Sequence, residues 1–462
     1  MEYLDIKEIV DALKGNLIVK GNVDKFNSVA IDSRKIKLND IFFAIKGENF
    51  DGHEYVVDAS HKGAALCIVH NKNFNEKDIC EYTSIILVED TRMALLDLAK
   101  YYRDKLDIKI IGITGSTGKT STKDLVAAVL SEKYKVFKTK GNFNNEVGLP
   151  LMIFNLDNSY DIAVLELGMS NLGEIHRLSR VSNPDLAIIT NIGLSHIENL
   201  KTQENILKAK MEITDFFEKE NVLILNGDSD LLSEISSDKY KIIKIGIEND
   251  YNFTASGIII GDSNIKFNIR ENDMLIDETF AVPVLGKHNV LNSLLAIATA
   301  RELNMDYKDI NKGFNNLEVT SMRLDILKYD KFTIINDAYN ASPDSMEAAL
   351  NVLKDFKGGR KIAVLGTMKE LGDESYNAHK EVGRYAKANG IDLLIAIGDF
   401  KKAFKDGFQD ENCILFENKE EAVKCLTSEI KTDDVILIKA SRSMEFESIV
   451  SEIEKLDVKE GI

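Results

Sequence analysis

The chain has 462 residues, 44% of them hydrophobic, which is material for more than one core, and two to four domains are expected at that length. A formal net charge of −17 argues against non-specific nucleic-acid binding and against anionic membrane surfaces, so any anionic ligand must be met by local cations. The four cysteines, Cys67, Cys80, Cys413 and Cys425, make no CxxC pair, and no run approaches the ~20 apolar residues of a membrane span, so a soluble, reduced, cytoplasmic protein is expected.

The opening stretch MEYLDIKEIVDAL carries acids early and lacks an uninterrupted apolar segment, which reads as a leading helix and not as a secretory signal. Short strands are expected at 28–31, 41–45, 65–69 and 85–88, joined by turn-rich segments, and an amphipathic helix at 91–106. An apolar run at 110–113 then breaks into the loop of IIGITGSTGKTSTKDLV and continues into a helical pattern at 123–130. Strands recur at 162–167, 186–190 and 222–225, alternating with helical stretches, which is the rhythm of a parallel sheet covered by helices. Alternating runs at 264–269 and 278–284 suggest an antiparallel insert, followed by a helix at 290–303. From residue 323 a second α/β block is expected, with strands at 333–336, 361–366, 393–397 and 435–439 and helices at 344–356, 377–389, 419–426 and 443–456. It reads as a Rossmann-like domain without a GxGxxG fingerprint. The fold class is therefore α/β in three domains: a small α/β domain at 1–90, a central phosphate-loop, parallel-sheet domain at 91–322, and a Rossmann-like domain at 323–462.

The loop carries the most specific chemistry. Strand, glycine loop and helix can aim backbone N–H groups and a helix N-terminus at a phosphate chain. Gly115, Ser116, Thr117 and Gly118 form the cradle, Lys119 can reach the outer phosphates, and the Thr120 hydroxyl can sit on Mg²⁺. The match to the usual pattern is imperfect, since Ile113 stands where the first glycine of that pattern belongs. Glu166 ends an apolar strand of the same sheet, where a Mg²⁺ ligand belongs, although a charge at a strand end also serves structure. The next strand discharges Asn191, His196 and Glu198 at the same edge. On composition alone Lys210 is one of several lysines on a charged helix.

In chain order, GITGSTGKTS, GNFNNEVGLP, LELGMSNLGEI, ITNIGLSHIE, AKMEI, LGKHNVLNSLLAIA, SMRLDIL and NDAYNASPDSMEAAL resemble the Mur ligases, ATP-dependent amide-forming enzymes of peptidoglycan precursor synthesis. The last motif resembles the branch that adds D-alanyl-D-alanine, while the DNPR-like motif of the third-residue-adding branch is absent. The N-terminal IDSRKIKLNDIFFAIKGENFDGHEYV looks like the uridine-nucleotide domain those two branches share.

The resemblance implies an ATP-dependent ligase that transfers the γ-phosphate to a substrate carboxylate, after which an amine attacks the acyl phosphate. Its partners would be UDP-N-acetylmuramoyl-tripeptide and D-alanyl-D-alanine, with no nucleic acid and no membrane insertion, and the chain would be a monomer. The catalytic residues would be Lys119, His196 and Lys210. Thr120 and Glu166 would hold one Mg²⁺, and His196 a second. Lys210 matches the position that carries a carbamate in the family, which turns a cation into an anion.

Asn289 and Asn292 would lie on the adenine and ribose side of ATP, Arg323 on phosphate at a hinge, and Asp337 on the ribose hydroxyls. Ser33, Arg34 and Lys46 would hold the uridine diphosphate end, Asn142, Asn144 and Asn145 the acyl-acceptor side, and Asn340 and Ser342 the incoming dipeptide. Asn144 also reads as a turn or cap residue. Three positions depart from the branch: Ser342 stands for Asn, Thr367 for Asp and Ala440 for Gly. The rivals are a third-residue-adding or folylpolyglutamate-type ligase, and a non-catalytic nucleotide-binding scaffold. The uridine-type N-terminal segment opposes the folylpolyglutamate type, and the presence of Lys119, Glu166, His196 and Lys210 opposes the scaffold.

Overall fold

Three large sheets follow one another along the chain in the computed structural model, which describes residues 1–458, and a two-stranded antiparallel pair, Leu4–Asp5 with Lys25–Phe26, accompanies the first. In the first, Val29–Ala30, Ile41–Phe43, Leu66–Val69 and Ser84–Leu87 run parallel, and Asn16–Val19 closes the edge antiparallel to Ser84–Leu87. The leading helix is shorter than its motif, Ile6–Leu13, because Asp5 caps it by accepting from the Lys7 and Glu8 amides.

The second sheet has nine strands. Lys109–Thr114 sits inside it, with Ile162–Glu166 on one side and Leu186–Ile189 on the other, both parallel to it. The chain leaves that central strand for one edge and later returns on its other side, so a crevice opens at the strand's C-terminal end, as expected where strand order reverses. Alternate side chains serve opposite faces. Ile110, Ala163 and Leu165 pack with Leu95, Leu98 and Leu178, whereas Ile111, Ile113 and Val164 pack with Leu125, Val129 and Leu294. Both faces are covered, which explains why these strands read as unbroken apolar runs. The same core reaches Ile9, Phe43 and Ile86, so helix Thr91–Asp104 packs the first sheet's layer onto the second. The antiparallel insert is present as Phe253–Ile260, Ile265–Glu271 and Met274–Val282.

The third sheet orders Asp325–Lys328, Phe332–Asn336, Asp434–Lys439, Lys361–Gly366, Leu393–Ile397 and Cys413–Phe416, antiparallel only at its first pair. This is the expected α/β architecture. Strand Asp434–Lys439 is the last in sequence yet lies between the second and third strands of its sheet, which brings the ends of Phe332–Asn336 and Asp434–Lys439 side by side.

Local readings differ in places. The helix after the glycine loop starts at Lys119 and not at 123, because Gly118 at φ +78° lets the chain enter the helix at once. Strands Asn16–Val19, Val136–Lys138 and Lys241–Gly246 were not anticipated. The last helix runs Glu447–Val458, four residues later than expected at its start, because Arg442–Met444 forms a 3-10 turn first. All four cysteines are free, and no helix among the described residues is long and apolar enough to cross a membrane.

Candidate active site

The crevice at the central strand's C-terminal end is walled by the glycine loop. Gly115 takes φ +152°, and a Cβ there would come within 1.8 Å of Thr190 Oγ1, so only glycine lets the loop lie this close to the neighbouring strand end. Asn191 stitches the loop from that strand end: its Oδ1 accepts from the Thr117 amide at 2.8 Å and its Nδ2 donates to Thr117 Oγ1 at 2.9 Å. The Ser116 hydroxyl accepts from the Gly193 amide at 2.9 Å. The loop is thus pre-shaped before any phosphate arrives.

Lys119 folds back to donate to the Gly115 carbonyl at 2.7 Å, and burial pulls its amine below the ordinary lysine range against the favourable charge of Glu166. Thr120 Oγ1 donates to Glu166 Oε2 at 3.1 Å, and Asn144 Nδ2 donates to Glu166 Oε1 at 3.0 Å. Asn144 therefore holds a carboxylate, a contact its turn-like sequence did not reveal. Arg323 Nη2 donates to the same Thr120 hydroxyl at 3.3 Å, and its guanidinium lies 4.1 Å from the centre of the Tyr339 ring. Buried Asp124 accepts from the Thr320 amide and hydroxyl at 3.0 and 2.7 Å, tying the segment before Arg323 to the loop's own helix.

Thr120 Oγ1 and Glu166 are hard oxygen donors set close together, the donor type Mg²⁺ selects. Among the described residues no three His, Cys, Asp or Glu side chains converge as a ready metal cage, so waters or phosphate oxygens would complete the shell of a cation here. Lys210 is buried with 1% of its surface exposed, and its amine is held well below the ordinary lysine range, first by burial and then by the like charge of Lys119. Among the described residues no opposite charge offsets that burial. An uncharged amine in such a place is a nucleophile, and a carbamate made from it would present the oxygens that a free amine lacks. His196, at φ +67°, starts the short helix Ile197–Leu200, and its Nδ1 lies 2.7 Å from Glu370 Oε2.

A cavity of about 560 Å³ runs from the loop to the third sheet. Asn289 and Asn292 line it and are bonded to each other, Asn292 Nδ2 donating to Asn289 Oδ1 at 2.8 Å. Asn289 Nδ2 donates to the Leu285 carbonyl at 2.7 Å and Asn292 Oδ1 accepts from Thr122 at 3.2 Å, which leaves each amide one N–H to spare. Asp337, on the far wall, is paired with Lys439 at 2.5 Å. The Lys439 amine also donates to the Asn340 carbonyl at 2.9 Å, and burial lowers it from the ordinary lysine range in spite of Asp337. Sequence reasoning missed Lys439, although it ends an apolar strand just as Glu166 does. It missed His288 as well, whose ring borders the cavity and is pushed down to about 4 by burial.

The remaining candidates fall elsewhere. Ser342 caps helix Pro343–Asp355, exchanging bonds with Ser345, so its hydroxyl is committed locally while Asn340 is exposed beside it. Asn145 Oδ1 accepts from the Val147 and Gly148 amides at 3.2 and 2.8 Å and shapes a helix start, and Asn142 is exposed next to it. Ser33 and Arg34 lie in the turn after Val29–Ala30 and Lys46 just after Ile41–Phe43, in the first sheet's segment, and they are not part of the cavity lining. Arg34 is 83% exposed and its guanidinium clasps Asp32 in a two-bond fork. The Thr367 hydroxyl accepts from the Asp399 amide at 3.2 Å.

The chain is similar to known proteins along its length. Residues 25–103 match the description "Mur ligase family, catalytic domain", residues 113–300 "Mur ligase middle domain", and residues 322–442 "Mur ligase, glutamate ligase domain". A UDP-N-acetylmuramoyl-tripeptide–D-alanyl-D-alanine ligase of Bacillus subtilis (strain 168) is 40% identical over 97% of this chain and 98% of its own. The protein of that name from Escherichia coli (strain K12) is 32% identical, over 98% of this chain and 99% of its own. Among solved structures, MurF from Acinetobacter baumannii superposes with a TM-score of 0.91 at 29% identity, covering 98% of this chain and 99% of that one. MurF ligase from Thermotoga maritima in complex with ADP gives 0.81 at 28% identity, covering 94% and 99%.

Proposed function

The chain belongs to the Mur ligase family, and we propose from that premise that it joins D-alanyl-D-alanine to UDP-N-acetylmuramoyl-tripeptide, forming the pentapeptide precursor with ADP and phosphate. It is an ATP-dependent ligase. The observation that carries the reading is the nucleotide cleft: Lys119, Thr120 and Arg323 face Asp337 across one cavity, with Glu166 held on Thr120, in a chain that aligns over nearly its whole length with ligases of that name.

The tripeptide's terminal carboxylate attacks the γ-phosphorus, and ADP leaves. The dipeptide amine then attacks the acyl carbon, expelling inorganic phosphate and losing a proton. The glycine loop holds the phosphate chain with its N–H groups, and Lys119 leaves its resting bond to Gly115 for the β- and γ-oxygens. Arg323, stacked on Tyr339, reaches the same phosphates from the third segment, and Asp337 takes the ribose hydroxyls. Asn289 and Asn292 offer their spare N–H groups to the nucleoside. Thr120 with Glu166 would hold one Mg²⁺, and His196 with a carbamate on Lys210 a second. Bound there, the cations would neutralise the charge that keeps ATP and a carboxylate apart.

Ser33, Arg34 and Lys46 bind the uridine diphosphate end, Asn142, Asn144 and Asn145 border the acyl acceptor, and Asn340 and Ser342 the dipeptide. Ser342 would act through its position at a helix N-terminus, since its hydroxyl is already bonded to Ser345. The division into segments 1–90, 91–322 and 323–462, a monomeric state and a cytoplasmic location belong to the same proposal. The test is phosphate release from ATP and Mg²⁺ with the tripeptide substrate. Release that requires D-alanyl-D-alanine supports it. Release with a free amino acid, and none with the dipeptide, refutes it in favour of a neighbouring ligase.

A further inference from the structure

His196 is contacted from another domain. The loop that follows strand Lys361–Gly366 crosses to the central segment, where the Glu198 amide donates to the Glu370 carbonyl at 3.2 Å and the backbone of Gly372 lies against the Glu198 side chain. Glu370 Oε2 then comes to 2.7 Å from His196 Nδ1.

The loop is built to present this carboxylate. The Met368 amide donates to buried His379 Nε2 at 2.8 Å, and the Lys369 amide donates to Ser441 Oγ at 2.9 Å. Met368 and Leu371, on either side, are buried. Glu370 itself sits at φ +66°, a conformation that a residue with a side chain keeps only where its surroundings impose it. Its side chain is 53% exposed, so burial does not explain why it points at His196.

Of the two ring nitrogens, Nδ1 is sealed from solvent and makes no aligned hydrogen bond, although the carboxylate is within reach. A small rotation of either side chain completes the bond. A carboxylate held on Nδ1 selects the tautomer that protonates this nitrogen and leaves Nε2 as the basic one, the arrangement that tunes metal-bound histidines.

We propose that Glu370 is a positioning residue: brought across on the third segment, its carboxylate holds His196 Nδ1 and leaves Nε2 for the second cation, so that docking of this segment completes the site. This rests on the assignment of His196 to a second cation above. It gives the ligase a reason to couple domain docking to catalysis, because the acyl phosphate would be made only where the third segment has arrived to supply the dipeptide.

The test is Mn²⁺ binding, followed by electron paramagnetic resonance, to the full chain with a non-hydrolysable ATP analogue and the tripeptide substrate. Glu370→Gln should weaken the second Mn²⁺ by about 10–100-fold and leave the first unchanged. It should lower kcat while leaving KM for ATP in place, and Glu370→Asp should recover part of the loss. Unaltered ADP binding by each variant confirms folding. Two Mn²⁺ bound equally tightly by wild type and Glu370→Gln, or a tighter second ion in the variant, would overturn the proposal and leave the two-cation reading standing. A wild-type chain with a single Mn²⁺ would overturn both.

Discussion

Replacing Lys439 by methionine probes the third segment's wall of the cleft. The side chain keeps its length and loses its charge. In the intact chain its amine lies 2.5 Å from Asp337 Oδ2 and 2.9 Å from the Asn340 carbonyl, with 1% of the residue exposed. Removal leaves the Asp337 carboxylate and the Asn340 carbonyl on the cleft wall without the cation that holds them. Breaking a buried pair from one side costs about 3–5 kcal/mol, whereas removing both charges costs far less than the sum. For a domain of this size about 2–4 °C accompanies each kcal/mol, so the melting temperature should fall by about 6–20 °C. The chain has no tryptophan, and circular dichroism is the suitable probe. Asp337→Asn should cost a similar amount, and the double variant little more than either single one. That is a coupling of about 3 kcal/mol. A fall of under about 3 °C for Lys439→Met, or strictly additive costs, would refute the reasoning.

Gly115→Ala should abolish ATP binding by titration calorimetry, since the added methyl meets Thr190 Oγ1 and the loop must open to make room. Activity should rise with dissolved CO₂ and fall in degassed buffer, and Lys210→Ala should be inactive at any CO₂ level; CO₂-independent turnover by the wild type would count against the carbamate. His379 supplies a pH dependence. Burial pushes its ring down to about 4 from an ordinary 6.5, with its Nε2 accepting from the Met368 amide. Below 6.5 the unfolded chain takes up a proton that the folded chain refuses, so stability is full above that pH and declines towards 4, by about 3 kcal/mol in all. His288, pushed down to about 4 as well, adds to the same window, so His379→Gln should make the slope of denaturation midpoints shallower without abolishing it, and an unchanged slope would remove His379 as a contributor.

Much of this was legible in the chain because sheets buried on both faces announce themselves as apolar runs. Runs such as 110–113, which leads into Thr114, and 162–167, which carries Glu166 near its end, located both the central sheet and its functional edge. Strand Lys241–Gly246 escaped notice because Lys241 and Lys244 break up its isoleucines beside a charged loop, the look of a solvent-facing segment. Lys210 could not be told from its neighbours by composition. What distinguishes it is burial without a counter-charge, a property of the folded chain. Contacts between segments were the least readable. Glu370 meets His196 across two domains, and Asp124 meets Thr320 within the central one, between stretches whose sequences carry no local trace of each other. Ser342 shows the converse, a residue marked for a ligand that the structure employs as a helix cap.

The account rests most heavily on activation of the substrate carboxylate by ATP. The tripeptide substrate, labelled with heavy oxygen in its terminal carboxylate, should be incubated with ATP, Mg²⁺ and D-alanyl-D-alanine, and the released phosphate analysed by mass. One labelled oxygen in each phosphate, alongside a pentapeptide product, is the predicted result. Unlabelled phosphate, or phosphate formed at the same rate without the dipeptide, would contradict it.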